Sequence, residues 1–522
     1  MNDTSDVATN SNELQEERWA KVAPIGIAYF FFKPLYLFIT NGLVYLIPAA
    51  LLQSEKLKQH IEYVMAGIVI IIALFLISAV LKYLFYAFRL SDERIEIRQG
   101  LIQKSHLDLP FEKIQNVKIE QPFYYRFHKY AMVELETAGS ASKEANIVAL
   151  KLENAEALKA KVLYTRQASE NNTNERTDNT PSIDDEIVLN TRSIMDLVIH
   201  GITNNRIWIL LGAAAPFYNP IVENIGTVME AIGFDIAGYI DYNSQSLGMF
   251  VLHILSVVMF IMLFVVLISV IGSIFVFYNY RLSKQDERYI KRSGLITKQE
   301  VSMKTSRIQV ATQQQDWLDI LIGRANIKLE QNSSGISGAN QSAQLNNASK
   351  LIVPSVTLSE SDDLIADVFK QSSVNQQQYK HVSTRYILRL MIFPVVPLIL
   401  ALVCVAYLAN FTAIGWLSVT FAIMLMFGLS VLRWFRWGYH FSNNFVFIRK
   451  GLLGKNYSIF PIQKVQQTKY KQTIFMRPHK LATIQLVLAS GAHSIPYVPD
   501  TIAADLIDES LLIVERDKPA WM

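Results

Sequence analysis

Residues 88–121 read FRLSDERIEIRQGLIQKSHLDLPFEKIQNVKIEQ, and the chain returns to this pattern twice. It recurs as YRLSKQDERYIKRSGLITKQEVSMKTSRIQVATQQQ over residues 280–315 and as YHFSNNFVFIRKGLLGKNYSIFPIQKVQQTKYKQ over residues 439–472. Aligned on Gly100, Gly294 and Gly451, the next residue is always Leu, and the fourth one on is Lys104, Lys298 or Lys455. Further along come Lys113-Ile114-Gln115, Arg307-Ile308-Gln309 and Lys464-Val465-Gln466, and then Gln121, Gln315 and Gln472. These offsets hold without a gap, so the chain is read as three copies of one unit. The second copy departs in two places: two extra residues precede Gly294, and residues 333–350 form an insertion rich in Ser, Asn, Gln and Gly.

Each copy reads as β structure. Arg94-Ile95-Glu96-Ile97-Arg98 alternates polar and apolar residues, Val446-Phe447-Ile448-Arg449 is rich in strand formers, and the aligned glycines sit where a tight turn needs φ > 0. Later strands are predicted over 132–137, 327–330 and 484–488, then over 147–152, 351–356 and 494–498. Capped helices follow at 153–164, 359–370 and 500–515. The order fits a small β-barrel or sandwich of about 80 residues with one C-terminal helix.

The remaining sequence is a membrane protein's. With 522 residues the chain is expected to hold about three or four folded units. Mean hydropathy is +0.22, and only 18% of residues are charged, where a soluble domain has about 25%. A net charge of +4 indicates no nucleic-acid footprint. A single cysteine, Cys404, excludes an internal disulfide framework or thiolate cluster. The polar, acidic start is not expected to be a cleavable signal peptide.

Between Arg389 and Arg433 no charged residue occurs, which suits two spans folded back at residues 410–413. Residues 247–278 and 63–84 are single spans, and 34–52 is another, with 23–32 and Lys33 ahead of it. Residues 208–222 are short and contain Pro216 and Pro220, preceded by an amphipathic stretch at 193–203. The expectation is six spans in three pairs, since homologous soluble units on one side of a membrane need an even number of spans between them. No Lys or Arg occurs between Arg206 and Arg281, so the loop inside that interval is placed outside, with the N-terminus and the repeats in the cytoplasm.

The β-strand, Gly-Leu-Ile and Lys-Ile-Gln pattern resembles the bacterial pleckstrin-homology (PH) membrane proteins of the YdbS/YdbT type, in the long, YdbT-like form. Gly100-Leu101-Ile102 and Gly294-Leu295-Ile296 match closely; Gly451-Leu452-Leu453 is a conservative variant. The resemblance spans roughly residues 20 to 518 and implies a helical membrane plus β architecture, in which each span pair is followed by a PH-like domain. The division is a polar tail (1–20), span pair 1 (21–84), domain 1 (85–164), a linker (165–190), an amphipathic helix with span pair 2 (191–278) and domain 2 (279–370). A second linker (371–384), span pair 3 (385–436) and domain 3 (437–518) complete it, both linkers being read as flexible tethers. The resemblance also implies the bacterial cytoplasmic membrane and a smaller partner with one span pair and one such domain.

No nucleophile elbow, metalloprotease, phosphate-loop, dinucleotide or CxxC motif occurs, so neither an enzyme nor a cofactor or metal is expected. His253, inside a span, is read as a neutral histidine bonded to another helix, and Cys404 as a packing residue. Arg89, Arg281, Arg433, Arg436, Trp434 and Trp437 read as membrane-interface anchors. Lys104, Lys298 and Lys455 read either as solvated cations at hairpin tips or as groups facing anionic lipid or an acidic partner. The Lys-Ile-Gln triplets and the later Gln are assigned to strand pairing and core packing, and the edges of such a fold suit strand addition by a partner. The functional expectation is a membrane scaffold or adaptor that recognises a protein partner or anionic lipid headgroups. The alternative is a transporter or channel component, although the spans carry little polar beyond His253 and Lys33.

Overall fold

A computed structural model describes residues 19–38, 61–91, 93–100, 104–137, 145–171, 186–204, 247–331, 350–370, 374–408, 412–442 and 444–517. The chain divides into two compact units. The first comprises Met1–Ser182, Trp208–Phe264 and Ile296–Glu300; the second comprises Ile183–Ile207, Val265–Leu295 and Val301–Met522.

Seven strands recur three times. The first set is β1 (Ala20–Lys21), β2 (Ala87–Leu90), β3 (Arg94–Gln99), β4 (Ser105–Pro110), β5 (Ile114–Gln121), β6 (Tyr130–Thr137) and β7 (Ala145–Lys151). The second is β8 (Ile187–Thr191), β9 (Arg281–Gln285), β10 (Arg288–Ser293), β11 (Lys298–Lys304), β12 (Ile308–Gln315), β13 (Arg324–Gln331) and β14 (Lys350–Thr357). The third is β15 (Lys380–His381), β16 (Gly438–Ser442), β17 (Phe445–Lys450), β18 (Lys455–Pro461), β19 (Val465–Lys471), β20 (Leu481–Leu488) and β21 (Gly491–Pro499). A helix closes each set: Leu152–Asn171, Leu358–Phe369 and Asp500–Asp517.

The first strand of each set precedes its membrane segment, and the other six follow it. β1 pairs antiparallel with β2, β8 with β9 and β15 with β16. The membrane helices are therefore inserted between strands one and two of a β domain. This corrects the reading of both linkers as lying wholly outside the domains, since most of β8 and all of β15 fall within them, and it places Ala20, the last residue of the predicted tail, in β1. The second tether also supplies Val374, fully buried, and Tyr379, which packs on Tyr457. In the first tether the closing helix runs on to Asn171; residues 172–185 lie outside the described residues.

The turn positions recur with physical reasons. Gly100 and Gly294 have φ of 105° and 117°, a region that disfavours a side chain. Gly451 is a different case: a Cβ there would lie 2.1 Å from the Gly454 carbonyl oxygen, so close approach, and not positive φ, requires the glycine. Lys129, Gly323 and Lys480 share a left-handed turn before the sixth strand. Ala149, Ser355 and Tyr497, each three residues before a closing helix, share a left-handed bulge with φ near 50°. The repeated glutamines are structural: Gln121, Gln315 and Gln472 each donate Nε2 to a carbonyl nine residues on, that of Tyr130, Arg324 or Leu481, at 3.0, 3.0 and 3.1 Å.

Strands β2, β9 and β16 each begin thirteen residues before the aligned glycine, so the extra residues expected before Gly294 are absent from the strand frame. The residues just ahead, Tyr86, Tyr280 and Trp437, are equivalent, and all are buried. The cores follow from the period-two pattern. Ile95, Ile97, Leu109, Phe111, Ile114 and Leu135 lie in the first core, each such burial stabilising by roughly 1.5–3 kcal/mol.

Among the described residues three helices are long and apolar enough to cross a membrane: Val258–Phe277, Arg385–Leu408 and Gly415–Arg436. Val69–Leu84 is a shorter apolar helix. Their surfaces are uncovered, as at Leu263, Phe264, Leu400, Leu417 and Phe421, which suits lipid as their solvent. Pro394 sits in a π-helical turn at Met391–Val395, where its missing N–H is accommodated. The helix Gly26–Phe38 is described, but the rest of the predicted 34–52 span, the predicted 208–222 span and the insertion at 333–349 lie outside the described residues. The amphipathic helix Ile194–Thr203 forms with Ser193 as its N-cap. Its Leu197 enters the second core, and Ser273 Oγ donates to the Leu197 carbonyl at 2.8 Å.

The repeated glutamine can be tested where no other repeat is involved. Gln472→Leu leaves the Leu481 carbonyl without its donor and should lower the stability of the detergent-solubilised protein by about 1 kcal/mol. A thermal unfolding scan equal to wild type would remove this role.

Candidate functional site

The repeated lysines and glutamines come together in the backbone. In the second unit β12 pairs antiparallel with β18, setting Ala311 against Ile459, Thr312 against Ser458, Gln313 against Tyr457, Gln314 against Asn456 and Gln315 against Lys455. The first unit contains the segment Ile296–Glu300, in which Lys298 faces Gln121, Gln299 faces Glu120 and Glu300 faces Ile119. In both ladders the lysine four residues after one glycine opposes the glutamine twenty-one residues after the preceding one.

Because β12 joins β18, one sheet runs β14-β13-β12-β18-β17-β16-β15. Alternate side chains then serve two cores. Phe447, Tyr457 and Ile459 enter the core built around the second repeat, while Val446, Ile448 and Phe460 enter that of the third. Val310 goes the other way, into the third repeat's core. Thr312 and Ser458 hydroxyls meet at 3.3 Å across the ladder.

Lys464, from the Lys-Ile-Gln position, fastens the lower end. Its Nζ donates to the Ile308 carbonyl at 2.8 Å and to the Ser306 carbonyl. Burial without a carboxylate pushes this lysine down to about 8. The sequence placed that triplet in pairing and core packing; its lysine instead fastens one repeat to the next. At the upper end Gly454 lies against the finish of β12, where a Cβ would sit 2.4 Å from the Gln315 carbonyl oxygen and 3.1 Å from Asp316 Cα.

The predicted cations separate in this frame. Lys104 precedes β4 and is exposed, Lys298 is exposed at the start of β11, and Lys455 is half-buried at the start of β18. Burial, then Arg436 and Arg449, hold Lys455 below the ordinary lysine value. Of the predicted interface anchors, Arg433 and Arg281 are exposed. Arg89 is ion-paired with Glu96 and lies 5.3 Å from the Trp19 ring. Trp434 donates Nε1 to the Val382 carbonyl at 2.9 Å, while Arg436 is half-buried. Trp437 is a correction: it belongs to the third core, because the chain turns into β16 one residue after the helix.

Sequence reasoning missed a buried polar cluster in the second unit. Arg192 Nη1 and Arg324 Nη1 both donate to the Ser355 carbonyl at 3.1 Å, the residue whose left-handed φ turns that carbonyl out of the ladder. Glu360 pairs with Arg192 at 3.0 Å, and Asp196 with Arg324 at 3.1 Å. Burial opposes the charge on Glu360 and Asp196, but hydrogen bonds and the nearby arginines win and hold both carboxyls below the usual range. Nearby, burial pushes Asp319 up to about 6. These groups bind a lead-in helix and a bulge to each other, and no periodic signal marks them. Among the described residues no group of three or more His, Cys, Asp or Glu could hold a metal ion.

The ladder's tightness is testable at its upper turn. Gly454→Ala forces a Cβ against backbone and should cost about 1–3 kcal/mol in unfolding of the purified protein. Gly428→Ala, with open space around it, should cost nothing. Equal midpoints for both would mean the turn is not seated on β12.

Comparison with known proteins agrees with this repeat frame. The chain is similar to the UPF0699 transmembrane protein YdbT of Bacillus subtilis (strain 168), 21% identical over 430 residues that cover 80% of this chain and 82% of that protein. No solved structure matches the chain. The bacterial PH domain model matches residues 41–166, 233–356 and 390–511, one match for each repeated β unit. With more than half of its length matched in three segments, this membrane protein belongs to the bacterial PH domain family.

Proposed function

We propose that the chain is a scaffold or adaptor of the bacterial cytoplasmic membrane that works by binding and has no turnover of its own. Six spans in three pairs hold three PH-like domains on the cytoplasmic side. The observation that carries the reading is the joining of domains through their own strand edges: Lys455 pairs in the ladder between repeats and Lys464 fastens it. Such edges also accept strands from other proteins. The partners proposed are membrane lipids and a smaller family member with one span pair and one domain. Lys104 and Lys298, both exposed, are the cations proposed to meet anionic headgroups or an acidic partner, with Lys455 contributing less because it is half-buried.

Topology is checked with single cysteines at Asp241, Lys104 and Lys298 in a Cys404→Ala background, labelled in whole cells by an impermeant thiol reagent. Position 241 should label and positions 104 and 298 should not. Labelling at 298 would place the domains outside.

For function, Lys104→Glu with Lys298→Glu should weaken retention on anionic vesicles, each lysine contributing about 1 kcal/mol near the surface, while leaving membrane insertion intact. The measurement compares lipid and protein copurification for wild type and the double variant, with ion flux in reconstituted vesicles. Robust flux with unchanged copurification would replace the scaffold by a transporter.

A further inference from the structure

The repeated ladder leaves two halves of itself open on each chain. β4 is an outer strand of the sheet β1-β2-β3-β4, and β19 is an outer strand of the sheet β19-β20-β21, neither pairing further among the described residues. β4 is the first repeat's equivalent of β18, and β19 is the third repeat's equivalent of β12. Burial records the difference. Tyr457 and Ile459 on β18 are covered, whereas their equivalents His106 and Asp108 have side chains 49% and 43% exposed. Gln313 on β12 is fully buried, whereas its equivalent Tyr470 is 43% exposed. Lys113, the equivalent of the fastening Lys464, is also exposed.

We propose that a second copy of this chain docks its β4 on the outer edge of β19, head to tail, in the register of the β12–β18 ladder. Transferring that register sets Thr468 against Asp108, Lys469 against Leu107, Tyr470 against His106, Lys471 against Ser105 and Gln472 against Lys104. The last pair again joins the repeated glutamine to the repeated lysine. Lys113 of the docking copy would then donate to the carbonyls of Gln463 and Val465, as Lys464 does to those of Ser306 and Ile308.

Charge selects this occupant over the alternative self-pairing. β19 carries Lys469 and Lys471, and a second β19 laid against it would bring lysines together, the usual protection of an edge strand. β4 carries no lysine, and the transferred register sets the uncharged Leu107 and Ser105 against Lys469 and Lys471, so no like charges meet. The contact is heterologous, so it closes into a ring or extends as a row. It rests on the observed ladder and stands apart from the binding role proposed above.

The test uses two differently tagged full-length copies in a Cys404→Ala background, one with Tyr470→Cys and the other with His106→Cys, coexpressed and oxidised in native membranes. A heterodimer linked between the two tags is expected, and Tyr470→Cys alone should give no homodimer. Adding Lys113→Glu to the His106→Cys copy should reduce the link about tenfold, through loss of charged hydrogen bonds. The mass of the uncrosslinked wild-type protein in mild detergent gives a second measurement, and an oligomer is expected. A monomer with no intermolecular link would overturn the proposal. So would a link that forms only when both cysteines are on one chain, since the open edges would then close within the molecule.

Discussion

Backbone N–H and C=O groups at the margin of a sheet must be paired with something, and the second unit meets this demand with the ladder between β12 and β18. Everything distinctive there follows from it. A shared sheet makes alternate residues of β17 and β18 face two different cores, so Tyr457 and Ile459 pack on one repeat while Phe460 packs on the other. Two small β domains, each marginal for its size, thereby share apolar surface that neither could bury alone. The same ladder explains why Gly454 has no side chain and why Lys464 gives up solvent for two carbonyls.

A second constraint is where the membrane segments enter. Each set begins with a short strand, is interrupted by apolar helices, and then completes its sheet. The strand before the helices covers the edge of the strand after them, so both ends of the inserted segment are fixed at one side of the domain. Tyr86, Tyr280 and Trp437, all buried, fill this neck. In the second repeat the neck is further held by the Leu197 and Ser273 contact and by Arg192 and Arg324 on the turned carbonyl of Ser355.

The repeated residues divide by what they do. The glutamines close a local turn, donating to a carbonyl nine residues away, and would be needed in a solitary domain. The lysine after the glycine has a backbone role in the ladder between repeats, which a solitary domain would lack. Lys464 belongs with the second group, although it sits in a triplet whose apolar member, Val465, is core.

By itself the sequence determined the threefold repeat, the apolar helices, the long strands and the closing helices, because these rest on local periodicity and on fixed spacings that the chain states three times. It could not mark Ala20–Lys21 or Lys380–His381 as strands, since two residues carry no period and become strands only when β2 and β16 present an edge. Nor could it separate Gly451 from Gly100: one is required by a neighbouring carbonyl and the other by its own φ. The cluster at Ser355 joins residues 192, 324 and 360, far apart in the chain, and Gln315 meets Lys455 only where two repeats adjoin. Such contacts are decided by tertiary structure, because edge pairing and buried charge satisfy backbone and side-chain groups across distances that no local pattern encodes.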